Sequence, residues 1–122
     1  SFVFSLHTKD TSQIREILAP RNSPLRNQSL AEARVSPGKA TLEHYHSKSE
    51  EIYYILQGKG KIKIADDVRE VGEGDGIAIL PGQKHKIQNI GARELVFLCC
   101  CSPSYEDEDT VPLNKKEFQN VS

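Results

Sequence analysis

From Leu30 to Cys101 the chain is cut into short alternating runs by glycine, proline and Asn/Asp pairs. The runs are Leu30–Val35, Thr41–His46, Glu51–Gln57, Lys61–Ala65, Gly76–Leu80, His85–Ile90 and Glu94–Cys101. Between them lie Pro37-Gly38, Gly58-Lys59-Gly60, Asp66-Asp67, Gly72 to Gly76, Pro81-Gly82 and Asn89 to Gly91. Side chains that alternate with a period of two fit half-buried strands. Many short strands at this spacing predict an all-β sandwich or barrel. Gly58 and Gly60 read as flanking a tight hairpin, and Gly72, Gly74 and Gly76 as turn glycines with positive φ. No helix follows these glycines to present backbone amides, so they are not read as a phosphate-binding loop.

The ends have a different texture. Residues 1–30 read as an irregular extension of the same domain, in which Thr11–Leu18 is expected to form a helical turn or two capped by Thr11 or Ser12. Pro20 and Pro24 then enforce a loop. Residues 30–102 form the β unit, and residues 103–122 a second extension. The acidic run Glu106–Asp109 reads as a solvated segment, with Tyr105 and Pro112 as its points of contact with the β unit.

A chain of 122 residues suggests one domain that can bury a core without disulfides. Sixteen basic against seventeen acidic side chains give a net charge of −1, with no basic excess to recruit nucleic acid or an anionic membrane. No apolar run approaches the roughly 18–20 residues that span a bilayer. Ser1–His7 lacks the basic start, apolar centre and small-residue cleavage site of a signal peptide, so a cytoplasmic protein is expected. The three cysteines are consecutive, Cys99 to Cys101, which is a poor disulfide framework. On a strand only Cys99 and Cys101 share a side, and they read as small apolar residues of a buried strand.

The chemistry concentrates in the histidines. On a strand over Thr41–His46, His44 and His46 point to one face about 7 Å apart and can chelate one ion. The short Ser47–Glu50 connection predicts that the next strand is an antiparallel neighbour. On that strand Glu51, Tyr53 and Ile55 share one face, and Ile52, Tyr54 and Leu56 the other. Glu51 can reach the same metal, whereas Glu50 reads as surface. His85 opens a later strand after Pro81-Gly82, flanked by Lys84 and Lys86, which face away from it. Three imidazoles and one carboxylate suit a divalent first-row transition metal and leave two open positions on an octahedral ion. His7 matches no pattern.

These residues resemble the two motifs of the cupin superfamily. The first motif is Gly, five residues, His, one, His, three or four, Glu, six, Gly, and it is matched by Gly38, His44, His46, Glu51 and Gly58. Its six-residue spacing to Gly58 selects Glu51 over Glu50. The second motif is Gly, five residues, Pro, one, Gly, two, His, three, Asn. Gly74, Gly82, His85 and Asn89 match it, with Leu80 in the proline position and Pro81 one residue later. The resemblance implies a cupin-type jelly-roll β-barrel of two antiparallel sheets, and a metal (manganese, iron, nickel or zinc) held by His44, His46, Glu51 and His85 near one mouth. It also implies, for many members, a homodimer.

Because this fold hosts many activities, the resemblance leaves function open. The leading expectation is a metal-dependent enzyme of isomerase, epimerase, lyase or decarboxylase type acting on a small sugar or a keto or hydroxy acid. An iron-dependent dioxygenase and a non-catalytic small-molecule binding protein are the alternatives. Tyr53, on the Glu51 face, is the candidate catalytic hydroxyl, with a barrel-wall aromatic as its plain reading. Arg34 and the Lys59, Lys61 and Lys63 row read as solvated outer faces.

Overall fold

A computed structural model describes residues 4–7, 13–104 and 109–113. Eleven strands occur among them: β1 (Phe4–His7), β2 (Gln13–Leu18), β3 (Ser29–Val35), β4 (His44–His46), β5 (Glu50–Gln57), β6 (Lys59–Ile64), β7 (Asp67–Gly72), β8 (Gly76–Ile79), β9 (His85–Asn89), β10 (Leu95–Ser102) and β11 (Thr110–Pro112). They form a six-stranded sheet in the order β1-β2-β3-β10-β5-β8 and a five-stranded sheet in the order β11-β4-β9-β6-β7. Every strand pairing is antiparallel. None of the described residues forms a helix long and apolar enough to cross a membrane.

From β3 to β10 the chain changes sheet at almost every connection; the β6–β7 hairpin is the exception. This weave brings the two inner faces together. Between them pack Val35, Ile55, Ile62, Ile79, Ile87, Leu95 and Phe97, with Ala33, Tyr53 and Cys99. Burying each large aliphatic or aromatic side chain contributes roughly 1.5–3 kcal/mol, so this cluster is the main source of stability.

Four expectations need correction. Gln13–Leu18 is a strand, not a helical turn: it pairs with β3, and Gln13, Ile14, Arg15 and Glu16 lie opposite Arg34, Ala33, Glu32 and Ala31. Thr11 and Ser12, the expected caps, lie outside the described residues, as do Tyr105 and three of the four acids in Glu106–Asp109. β4 and β5 are not neighbours in one sheet; Ser47–Ser49 carries the chain across the barrel from the five-stranded to the six-stranded sheet. Likewise Gly58 and Gly60 do not flank a hairpin. Gly58 (φ +93°) makes the corner between sheets, where a Cβ would stand 3.1 Å from the Glu94 carbonyl oxygen, and Gly60 sits within β6. Of the three glycines read as positive-φ turns, only Gly74 is one.

The inward side chains change character along the barrel. On β5 they read Glu51, Tyr53, Ile55; on β9 His85, Ile87, Asn89; on β10 Cys101, Cys99, Phe97, Leu95. Because β5 and β10 are antiparallel, Glu51 faces Cys101 and Ile55 faces Phe97. Polar side chains therefore meet at one end of the barrel, apolar residues fill the middle, and at the far end of β9 the buried Asn89 is hydrogen-bonded to the Val35 and Arg93 carbonyls.

Candidate metal centre

β4 and β9 meet at a single register pair, His44 opposite His85. His46 lies two residues along β4 on the same face, and all three rings are buried. Their ligand nitrogens lie within 4.8 Å of one another. The opposite sheet supplies Glu51, whose Oε1 is 3.0 Å from His46 Nε2 and 3.3 Å from His85 Nε2. Glu50 is exposed.

The ring orientations are set from behind. His44 Nδ1 donates to the Leu42 carbonyl at 2.7 Å, and His85 Nδ1 donates to the Gln83 carbonyl at 2.9 Å. A carbonyl can only accept, so in the neutral ring the proton is on Nδ1 and the Nε2 lone pair faces the cluster. Such backing of imidazoles is the usual outer support of a metal ligand. His46 Nδ1 contacts the Thr110 hydroxyl at 3.2 Å.

This leaves an electrostatic deficit. Glu51 Oε1 and His85 Nε2 are buried, close together, and without a hydrogen-bond partner among the described residues. Two buried acceptors in contact repel unless a cation stands between them. A proton can serve, and so can a metal ion; the donor set of three imidazoles and a carboxylate fits a divalent first-row metal. In the protein alone, burial pushes the Glu51 carboxyl up, but when a proton fills the gap the hydrogen bonds that His46 and His85 donate, with their charge, outweigh burial and hold it well below the usual carboxylate range.

Residues far along the chain brace this end. Cys101 Sγ donates to Glu51 Oε2 at 3.3 Å. Burial, reinforced by the Glu51 charge, pushes the thiol far above its ordinary range, so it keeps its proton. β11 pairs with β4 and sets Thr110 beside His46 and Pro112 beside His44, so Pro112 is a contact of the tail as expected. Asp109 accepts from the amides of Ser47, Lys48 and Ser49 and from the Ser47 hydroxyl. It thereby clamps the three residues that join His46 to the ligand strand. Burial raises the Asp109 pKa, but these hydrogen bonds outweigh it and hold the group below its ordinary value. Hydrogen bonds to a charged acceptor are worth roughly 1.5–3 kcal/mol each. Asp109→Ala is therefore expected to lower the chemical-denaturation stability by about 1–3 kcal/mol and to weaken metal binding; unchanged stability and affinity would show the clamp to be idle.

The sequence marks Asp109 only as the end of an acidic run that reads as solvated, it does not mark Thr110, and β11 is only three residues long. Cys101 could be placed on the inward side by parity, but its partner depends on the β5–β10 register.

Tyr53 is buried, its ring centroid 6.0 Å from that of His85 and 4.6 Å from that of Phe97. Arg34 pairs with Glu32 and Glu94 on the outer face. A cleft of about 560 Å³ opens beside β7 and β8, the edge strands of the two sheets, with Ile62, Ile64, Ile77 and Gln83 in its wall. The metal-centre residues do not line it, yet Ile64 pairs with His85 and Ile77 with Tyr53.

The family model described as a cupin domain matches residues 31–101. The chain belongs to the cupin family. An uncharacterized protein of Methanocaldococcus jannaschii is 52% identical over 103 residues, covering 84% of this cupin and 82% of that protein. An oxalate-binding protein of Thermotoga maritima is 33% identical over 69 residues, covering 57% of each chain. Among solved structures, oxalate decarboxylase from Bacillus subtilis superposes with a TM-score of 0.79 at 24% identity over 91% of this cupin, which spans only 30% of that chain. That likeness supports the fold of two facing antiparallel sheets.

Proposed function

We propose that this cupin holds one divalent transition metal (manganese, iron, nickel or zinc) at His44, His46, His85 and Glu51, and uses it to bind and transform a small keto or hydroxy acid. The observation that carries the reading is the buried contact between Glu51 Oε1 and His85 Nε2, two acceptors that require a cation. When bound, such a metal polarises a carbonyl or carboxylate placed at its open positions.

The chain's own residues then have separate tasks. Leu42 and Gln83 carbonyls keep the His44 and His85 lone pairs inward. The apolar middle of the barrel, Ile55, Leu95 and Phe97, excludes water from behind. We assign the acid or base role to Tyr53, whose ring lies edge-on to His85. The choice of an acid over a sugar is supported by the oxalate-binding relative. A homodimer belongs to the same proposal, supported by Ile52, Tyr54 and Leu56, which leave a row of 42–55% exposed apolar side chains on the outer face of β5.

The apolar interior also favours a second reading, in which the metal centre captures the acid without turning it over. The metal-loaded protein, incubated with oxalate and with simple 2-oxo and 2-hydroxy acids, separates the two. Thermal stabilisation by an acid that depends on metal, with product visible by NMR and lost in Tyr53→Phe, is expected. Stabilisation without product favours capture alone, and no response to any acid defeats both.

A further inference from the structure

Cys101 lies opposite Glu51 in the β5–β10 register, with both side chains turned inward and only 2% and 5% exposed. A carboxylate can meet a metal through either oxygen or through both. Here the two oxygens have different neighbours. Oε2 accepts from the Cys101 thiol at 3.3 Å. Oε1 faces His46 Nε2 and His85 Nε2 at 3.0 and 3.3 Å and has no hydrogen bond. Cys99, two residues along the same face, belongs to the apolar cluster, whereas Cys101 does not.

We infer that Cys101 is a positioning residue: it ties down Glu51 Oε2, so that the glutamate meets the metal through Oε1 alone. The inference rests on the metal-centre reading above. A one-oxygen contact leaves a coordination position that a two-oxygen contact would fill, and that position is where a small acid can enter. The thiol is placed against Oε2 and is not among the clustered ligand atoms, so in this arrangement it supports the glutamate and is not itself a ligand.

Cobalt(II) titration of the metal-free protein tests this, with affinity read by competition against a chelator and coordination read from the visible spectrum of the bound ion. The proteins compared are wild type, Cys101→Ala, Cys101→Val, Cys101→Ser, Glu51→Gln, and Cys101→Ala combined with Glu51→Gln. Wild type is expected to show no sulfur-to-cobalt charge-transfer band. Cys101→Ala and Cys101→Val are expected to bind roughly 10–100-fold more weakly, the range for an outer support of a metal ligand, with altered cobalt bands. Cys101→Ser, which keeps a donor, should lie nearer wild type. In the Glu51→Gln background the cysteine change should add nothing. Circular dichroism checks folding, and the valine variant fills the space left by the thiol should alanine unfold the barrel. Unchanged affinity and spectrum in the alanine and valine variants overturn the inference, as does a charge-transfer band in wild type that vanishes with the thiol. Failure of wild type to take cobalt defeats the metal centre and this inference together; binding indifferent to Cys101 defeats the inference alone.

Discussion

His44→Ala and His85→Ala are each expected to abolish stoichiometric metal binding while leaving the barrel folded. Each imidazole supplies one of three buried nitrogens within 4.8 Å of one another, on a strand pair that meets only there. Removing a ligand should exceed the roughly 10–100-fold loss that follows removal of an outer support. The metal-free stability should change far less. His85→Ala creates a cavity, but it also removes a buried acceptor pressed against Glu51 Oε1, and the two effects oppose. Calorimetric titration with zinc or manganese, alongside denaturant unfolding of the metal-free variants, checks both halves. Retained affinity, or a barrel that fails to fold, would contradict the assignment.

The second large effect separates two adjacent acids. Glu51→Gln should weaken metal binding by well over ten-fold, because it replaces a buried anionic ligand with a neutral amide. Glu50→Gln, on the exposed side of the same strand, should leave affinity within two-fold of wild type, an estimate for a distant surface charge screened by water. Equal losses would sink the choice of Glu51. The pair should also differ in acid. The folded-state pKa of Glu51 lies below its unfolded value, so its contribution is present above about pH 4.3 and is lost as pH falls through the lower folded value. Denaturant unfolding of the metal-free protein at pH 7 and pH 3 should show a larger acid loss for wild type and Glu50→Gln than for Glu51→Gln. Metal affinity should fall at milder acidity, through the range in which imidazoles ordinarily titrate, because only the neutral ring binds.

The candidate site was legible to the extent that it depends on spacing and parity. His44 and His46 share a face because they are two apart on a strand, and Glu51 is inward because Tyr53 and Ile55 continue its parity into the core. The Pro81-Gly82 turn positions His85 whichever sheet follows it. What parity cannot convey is which strand lies opposite. The Ser47–Ser49 connection has the length of a hairpin loop, yet it crosses the barrel, so Glu51 approaches the histidines from the facing sheet. That arrangement surrounds the metal centre instead of lining its ligands along one surface.

The errors elsewhere have similar causes. Ile14, Ile17 and Leu18 stand at helical spacing, but the open edge of β3 offers a ladder, and strand pairing prevails over a short helix with no core to face. β7 carries no strand signal in the sequence because Asp67, Val68, Arg69 and Glu70 are exposed and show little alternation; β6 holds it through a complete backbone ladder. The clamp by Asp109 and the contacts of Thr110 and Cys101 arise between residues 50 or more positions apart. No local pattern encodes such pairs.

The central claim is that three imidazoles and Glu51 form one metal centre. Elemental analysis of protein purified without chelator or added metal, with the His44→Ala variant beside it, tests that most directly. The account predicts about one equivalent of a first-row transition metal in wild type, or one equivalent taken up on titration, and none in the variant. No metal and no uptake in wild type, or equal metal in both proteins, would contradict it.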